Sequence, residues 1–139
     1  MNNYFTIKEL CKSDTARKLN INNEPSDLIK LHLQELIIFL NPLREEWGSP
    51  IRVNSGYRCP ELNEILNGSK TSAHMRGFAA DLYPVNSDIW EFKKFCVNYL
   101  KDKDFDQCIL ETSGNSEWVH IGLYDNNMQQ RKEIKNLYV

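Results

Sequence analysis

An excess of basic residues is the first thing this sequence lacks. With 17 Lys and Arg against 19 Asp and Glu, the formal charge is -2 at pH 7, so no broad positive field exists to attract nucleic-acid phosphates or an anionic membrane face. Long apolar runs are missing too, and no stretch could span a bilayer. The start, Met1-Asn2-Asn3-Tyr4-Phe5-Thr6, has neither the basic opening nor the apolar core of an export signal. The expectation is a product that is cytoplasmic as synthesised, with no membrane insertion and no nucleic-acid partner. The four cysteines, Cys11, Cys59, Cys96 and Cys108, lie far apart with no C-x-x-C pair. That argues against a zinc knuckle or a disulfide framework and for reduced, mostly buried thiols. Repeats, low-complexity tracts and linkers are also absent. At 139 residues, 41% of them hydrophobic, the chain is expected to form one domain over residues 1–139 with a core of its own, and to be a monomer.

The patterning that is present predicts helices first. Thr6-Ile7-Lys8-Glu9 is a capping box, which opens a helix running toward Arg17. Pro25-Ser26-Asp27 opens a longer one with Ile29, Leu33, Leu36, Ile37, Leu40, Leu43 and Trp47 on one face, and Gly48 suits its end. Pro42 is expected to bend or interrupt it, since proline removes a ladder donor and crowds the preceding turn. Residues 51–54 read as a short strand, 60–66 as a short helix with proline in its first turn, and 78–83 as extended. Ser87 and Asp88 begin an amphipathic helix carrying Ile89, Phe92, Phe95, Cys96 and Tyr99 inward. The apolar runs 105–111 and 118–124, joined by Thr112-Ser113-Gly114-Asn115-Ser116, make a hairpin. The layout is α+β, with helices packed on a small antiparallel sheet.

Chemistry is concentrated around two of the three histidines. His32 lies inside the long helix with no evident partner and reads as a solvated or core-edge residue. His74 lies in Ser72-Ala73-His74-Met75-Arg76-Gly77-Phe78-Ala79-Ala80-Asp81, and His120 ends Glu117-Trp118-Val119-His120. Asp81 falls mid-strand, on the face of Ala79 and Tyr83, with His74 in the loop leading in. If the strand bearing His120 pairs beside it, two imidazoles and one carboxylate converge. Zinc takes such a set and keeps a fourth position for water, the arrangement of a catalytic site. Trp47, Trp90, Trp118, Tyr57 and Tyr83 read as core or site-wall packing, with Tyr83 and Trp118 placed to wall a cleft.

Ser72-x-His74-x-x-Gly77-x-Ala79-x-Asp81 followed by Trp118-Val119-His120 resembles the signature of the peptidase M15 family. That family contains D-alanyl-D-alanine carboxypeptidases, vancomycin-resistance D,D-dipeptidases and phage L-alanyl-D-glutamate endopeptidases. Ser55-Gly56-Tyr57-Arg58 and Asn63 match its S-G-Y-R and following asparagine. The start from Phe5 to Glu9, with Asn41-Pro42-Leu43-Arg44, looks like its small bacterial and prophage branch. The resemblance implies a hedgehog/D,D-peptidase-like fold and one zinc ion on His74, Asp81 and His120. It also implies a carboxylate base, and Arg58 to bind or polarise the substrate carbonyl. Ser72, Tyr57, Trp118 and Glu111 are candidates to support the site or touch substrate, and Gly77 suits a tight path between loop and strand.

Two carboxylates compete for the role of base. Glu117 has the spacing to His120 seen in the dipeptidase branch and is placed first, although residues three apart on a regular strand face opposite ways. Glu111, on the partner strand of the hairpin, is the rival. The implied partners are a peptidoglycan stem peptide or a dipeptide containing D-alanine, and the implied setting is wall cleavage after release, as in phage lysis. A zinc-bound module of the same fold without catalysis is the second reading. A non-haem iron oxygenase is disfavoured, because its site uses H-x-D/E spacing whereas six residues separate His74 from Asp81.

Overall fold

Short polar side chains decide where the helices begin. The computed structural model describes residues 3–139. The Thr6 hydroxyl accepts the Glu9 N–H at 3.0 Å and starts α1 (Ile7–Cys11), and Ser13 accepts the Ala16 N–H at 3.1 Å and starts α2 (Asp14–Lys18). The single helix expected up to Arg17 is therefore two, because Ser13 takes an extended conformation and caps a new turn. Ser26 caps α3 (Asp27–Trp47), which Gly48 closes in the left-handed region at φ 80°. Pro42 lies inside α3 and does not interrupt it. The helix buries Leu33, Leu36, Leu40 and Leu43 completely, at about 1.5–3 kcal/mol each, which outweighs the roughly 3 kcal/mol that an interior proline costs.

The remaining elements are β1 (Ile51–Ser55), α4 (Pro60–Ile65), a 3-10 helix (Ala73–Arg76), β2 (Ala79–Pro84), α5 (Ile89–Leu100), β3 (Gln107–Ser113), β4 (Ser116–Gly122) and β5 (Glu133–Tyr138). The strands form one sheet in the order β1-β2-β4-β3-β5. Neighbours from β1 to β3 are antiparallel, while β5 runs parallel to β3. The architecture is α+β as expected, but the sheet is mixed rather than antiparallel, because β5 returns to the outer edge of β3.

Strand alternation divides the sheet into two chemistries. Ala80 and Leu82 of β2, Val119 and Ile121 of β4, and Cys108 and Leu110 of β3 point into the hydrophobic core with α3 and α5. The intervening residues, Asp81, Trp118, His120, Gln107, Ile109 and Glu111, share the opposite face. Tyr57 belongs to the core cluster, 7% exposed, and Trp90 on α5 faces outward at 45% exposure. All four cysteines are free, Cys96 and Cys108 buried and Cys11 and Cys59 half-buried. Among the described residues, no helix is long and apolar enough to cross a membrane.

Candidate metal centre

Register brings the acid and one histidine together. Asp81 of β2 sits directly across from His120 of β4, and Ile109 of β3 flanks His120 on its other side. The second histidine arrives from the 3-10 helix just before β2. Gly77 ends that helix at φ 79°, a conformation open to glycine, and there an added Cβ would also press on Ile29 and Leu33 at 3.2 Å. The Ser72 hydroxyl accepts the His74 N–H at 3.2 Å and so caps the same turn.

His74 Nε2 lies 3.3 Å and His120 Nδ1 3.0 Å from Asp81 Oδ1, and all three residues are buried. One ligand atom from each lies within 4.8 Å of the others, so the group could hold a metal ion. The outward nitrogens support that fit. His74 Nδ1 is 2.8 Å from the Gly56 carbonyl oxygen, and His120 Nε2 is 3.1 Å from Gln107 Oε1. Gln107 in turn donates through Nε2 to Glu133 Oε1 at 2.8 Å, which fixes its amide so that the oxygen faces His120. Each outward nitrogen faces an acceptor to which it can donate, so that the nitrogen turned toward Asp81 would be the one to offer a lone pair to a bound metal.

Charge in this pocket follows from burial and pairing. Burial alone would raise the Asp81 carboxyl, but the charge of His74 and hydrogen bonds from His120 and His74 hold it far below the usual carboxylate range. Burial would lower His120, yet the hydrogen bond and charge of Asp81 and the charge of Glu111 raise it above an ordinary histidine. Arg58 points into the same cluster. Its NH2 donates to Asp81 Oδ2 at 3.3 Å, its Nε to Ser55 Oγ at 2.9 Å and its NH1 to Asn63 Oδ1 at 3.4 Å. The Arg58 backbone N–H also clasps the His74 carbonyl at 3.1 Å.

The two candidate carboxylates are separated by the sheet. Glu111 pairs across from Trp118, accepts its indole N–H at 3.0 Å, and has Oε1 3.7 Å from His120 Nδ1. Glu117 pairs with Thr112 in a hairpin register that runs unbroken from Ser113–Ser116 to Gln107–Gly122, and it accepts from the Thr112 hydroxyl at 3.4 Å. No bulge turns Glu117 over. An open cleft of about 880 Å³ is lined by Arg58, His74, Asp81, Glu111, Trp118, His120 and Ser72, and includes neither Glu117, Tyr57 nor Tyr83. His32 stands apart, its Nδ1 2.7 Å from the Arg76 carbonyl and its ring stacked on Phe78.

Sequence reasoning missed Gln107 and Glu133, and named Gly56 only within the S-G-Y-R match, without its hold on His74. Gln107 carried a usable signal, as a polar residue opening an apolar run at the parity of Glu111. Gly56 stands in the S-G-Y-R match, but its role does not show in the sequence, because that role is a close approach: a Cβ there would stand 2.2 Å from the Leu10 carbonyl oxygen. Gly56→Ala is expected to destabilise the fold by about 1–3 kcal/mol and, by moving the carbonyl that holds His74, to weaken metal binding about 10- to 100-fold. Urea unfolding and a metal titration on one preparation check both effects.

No curated protein matches the chain. A family model described as Peptidase M15 matches residues 3–122, a span that holds α1 through β4 and every residue of the His-Asp-His group. A match over most of the chain, with that group brought together in a cleft, shows that the chain belongs to the peptidase M15 family.

Proposed function

We propose that this chain is a zinc-dependent peptidase that hydrolyses a peptide bond in bacterial peptidoglycan stem peptides, either removing a terminal D-alanine or cutting between L-alanine and D-glutamate. The observation that carries the reading is the convergence of His74, Asp81 and His120, with both outward imidazole nitrogens held by acceptors, on the floor of a cleft lined by Glu111 and Arg58. A zinc ion held there supplies a Lewis acid and a water acidic enough, with a pKa near about 7, to attack a carbonyl at neutral pH.

The chain's own groups supply the rest. Glu111 is the base in this reading: Trp118 holds Oε1, leaving Oε2 to take a proton from the attacking water and deliver it to the leaving amine. Arg58 is held on three sides by Ser55, Asn63 and Asp81, so its guanidinium is fixed before substrate arrives and stabilises the charge that develops on the carbonyl oxygen. Trp118 gives the cleft an apolar wall beside Glu111.

The test is digestion of purified peptidoglycan fragments by zinc-loaded protein, read by mass spectrometry, with His74→Ala and a chelated sample as controls. Loss of one terminal alanine assigns carboxypeptidase action, and release of the stem on its L-alanine side assigns endopeptidase action. Unchanged fragments with zinc tightly bound would leave a binding module as the better account.

A further inference from the structure

Arg76 ends the 3-10 helix that carries His74, and its side chain lines the same cleft. It is half-buried, and NH1 donates to the backbone carbonyl of Asp125 at 2.7 Å. Among the described residues, no carboxylate oxygen lies within 4.0 Å of its guanidinium. The nearby acids are already engaged. Asp106, 2% exposed, receives a two-pronged pair from Arg131 at 2.8 and 3.0 Å and the Arg131 backbone N–H at 3.1 Å. Asp125 Oδ1 accepts the backbone N–H groups of Asn127 and Gln129, each at 2.8 Å, and Arg131 Nε stands 3.5 Å from its Oδ2. Arg131 is thus consumed by protein carboxylates while Arg76 keeps most of its five donors for something else.

A bound peptide would take water away from those donors, and unmet donors on a desolvated guanidinium are costly. The planar fork matches a carboxylate, the anion a peptide brings as its C-terminus or an acidic side chain. We propose that Arg76 binds a carboxylate of the peptide substrate and so selects acidic or free-acid peptides, an inference that rests on the peptidase reading. Asp125, whose carbonyl steadies Arg76, lies beyond the span 3–122 that the family model matches. This selectivity is therefore built partly from a segment outside that span.

The experiment uses four peptides of one sequence, with the C-terminus free or amidated and one position Glu or Gln. KM and kcat are measured for zinc-loaded wild type, Arg76→Gln and Arg76→Lys, and Kd by calorimetry in a Glu111→Gln background. Arg76→Gln is expected to raise KM and Kd on the order of 10- to 100-fold for the peptide bearing the recognised carboxylate. It should leave the uncharged counterpart unchanged and kcat within about three-fold, with Arg76→Lys intermediate. Whichever pair responds identifies the carboxylate as terminal or side-chain. Equal weakening of charged and uncharged peptides, or no Arg76-dependent binding of any of the four, overturns the proposal. If none is cleaved but the charged peptide still binds in an Arg76-dependent way, the peptidase reading fails and the carboxylate site stands. Should Arg76→Gln not fold, an unchanged ratio of charged to uncharged affinity in Arg76→Lys overturns it.

Discussion

Replacing Glu111 by Gln is expected to lower kcat by about 10²- to 10⁴-fold, the usual contribution of a positioned proton-transfer group, while zinc content and the melting temperature stay close to wild type. Glu117→Gln is expected to stay within about two-fold, as surface changes away from a site generally do. The contrast follows from strand parity. Glu111 shares a face with His120 and is steadied by the Trp118 indole, whereas Glu117 lies on the reverse face against Thr112. Glutamine keeps the hydrogen bond from Trp118 and loses only the ability to take a proton, so the effect should fall on kcat with little change in KM. Steady-state kinetics of both variants, with metal content measured on the same samples, checks it. A large kcat loss in Glu117→Gln and none in Glu111→Gln would reverse the assignment.

The second large effect is the pH dependence of zinc affinity. In the metal-free protein Asp81 and Glu111 keep a proton on His120 to higher pH than the 6.5 of an ordinary histidine. A metal at Nδ1 must displace that proton. Affinity should therefore begin to fall while pH is still above 6.5, and drop about ten-fold per unit once His120 is charged. The sign for stability follows from the same shift. A raised histidine pKa stabilises the metal-free fold fully below 6.5, and that contribution is lost as pH rises through the folded-state value. Asp81 adds stability above its unfolded value of 3.8, lost only as pH falls through its depressed folded value. Between pH 6 and 8 the zinc-free protein should thus lose stability while zinc binds more tightly, so the rise in melting temperature on adding zinc should widen. Asp81→Ala should abolish the widening along with tight binding, since it removes a ligand and leaves Arg58 without its only carboxylate within 4.0 Å among the described residues. Competition with a coloured chelator at three pH values, beside melting curves, measures both.

What could be read from the sequence was whatever local chemistry determines. The caps at Thr6, Ser26 and Asp88, the apolar face of α3 and the hairpin of β3 and β4 all depend on neighbours a few residues away. The His-Asp-His group was legible because its spacing matches a family pattern, and the register of Asp81 against His120 brings its members together. β5 was not legible. Its apolar residues Ile134 and Leu137 remain 46% and 38% exposed, and its partner β3 is parallel and distant in sequence, so no local alternation or turn marks it. Even so, β5 carries Glu133, which orients Gln107 behind His120. Glu117 shows a conflict between two signals, motif spacing and strand parity, and with no bulge in the hairpin the geometry favours parity. Pro42 shows the reverse of a local rule, a breaker held inside a helix by the burial of the leucines around it.

The most direct test of the account is a zinc add-back titration. Protein stripped of metal with a chelator and dialysed should cleave no peptidoglycan fragment, and activity should rise in proportion to added zinc and level off at one ion per chain. His74→Ala and His120→Ala should neither retain zinc nor recover activity under the same additions. Cleavage that survives complete removal of metal, or zinc bound at one per chain in either variant with activity intact, would contradict a catalytic centre built on His74, Asp81 and His120.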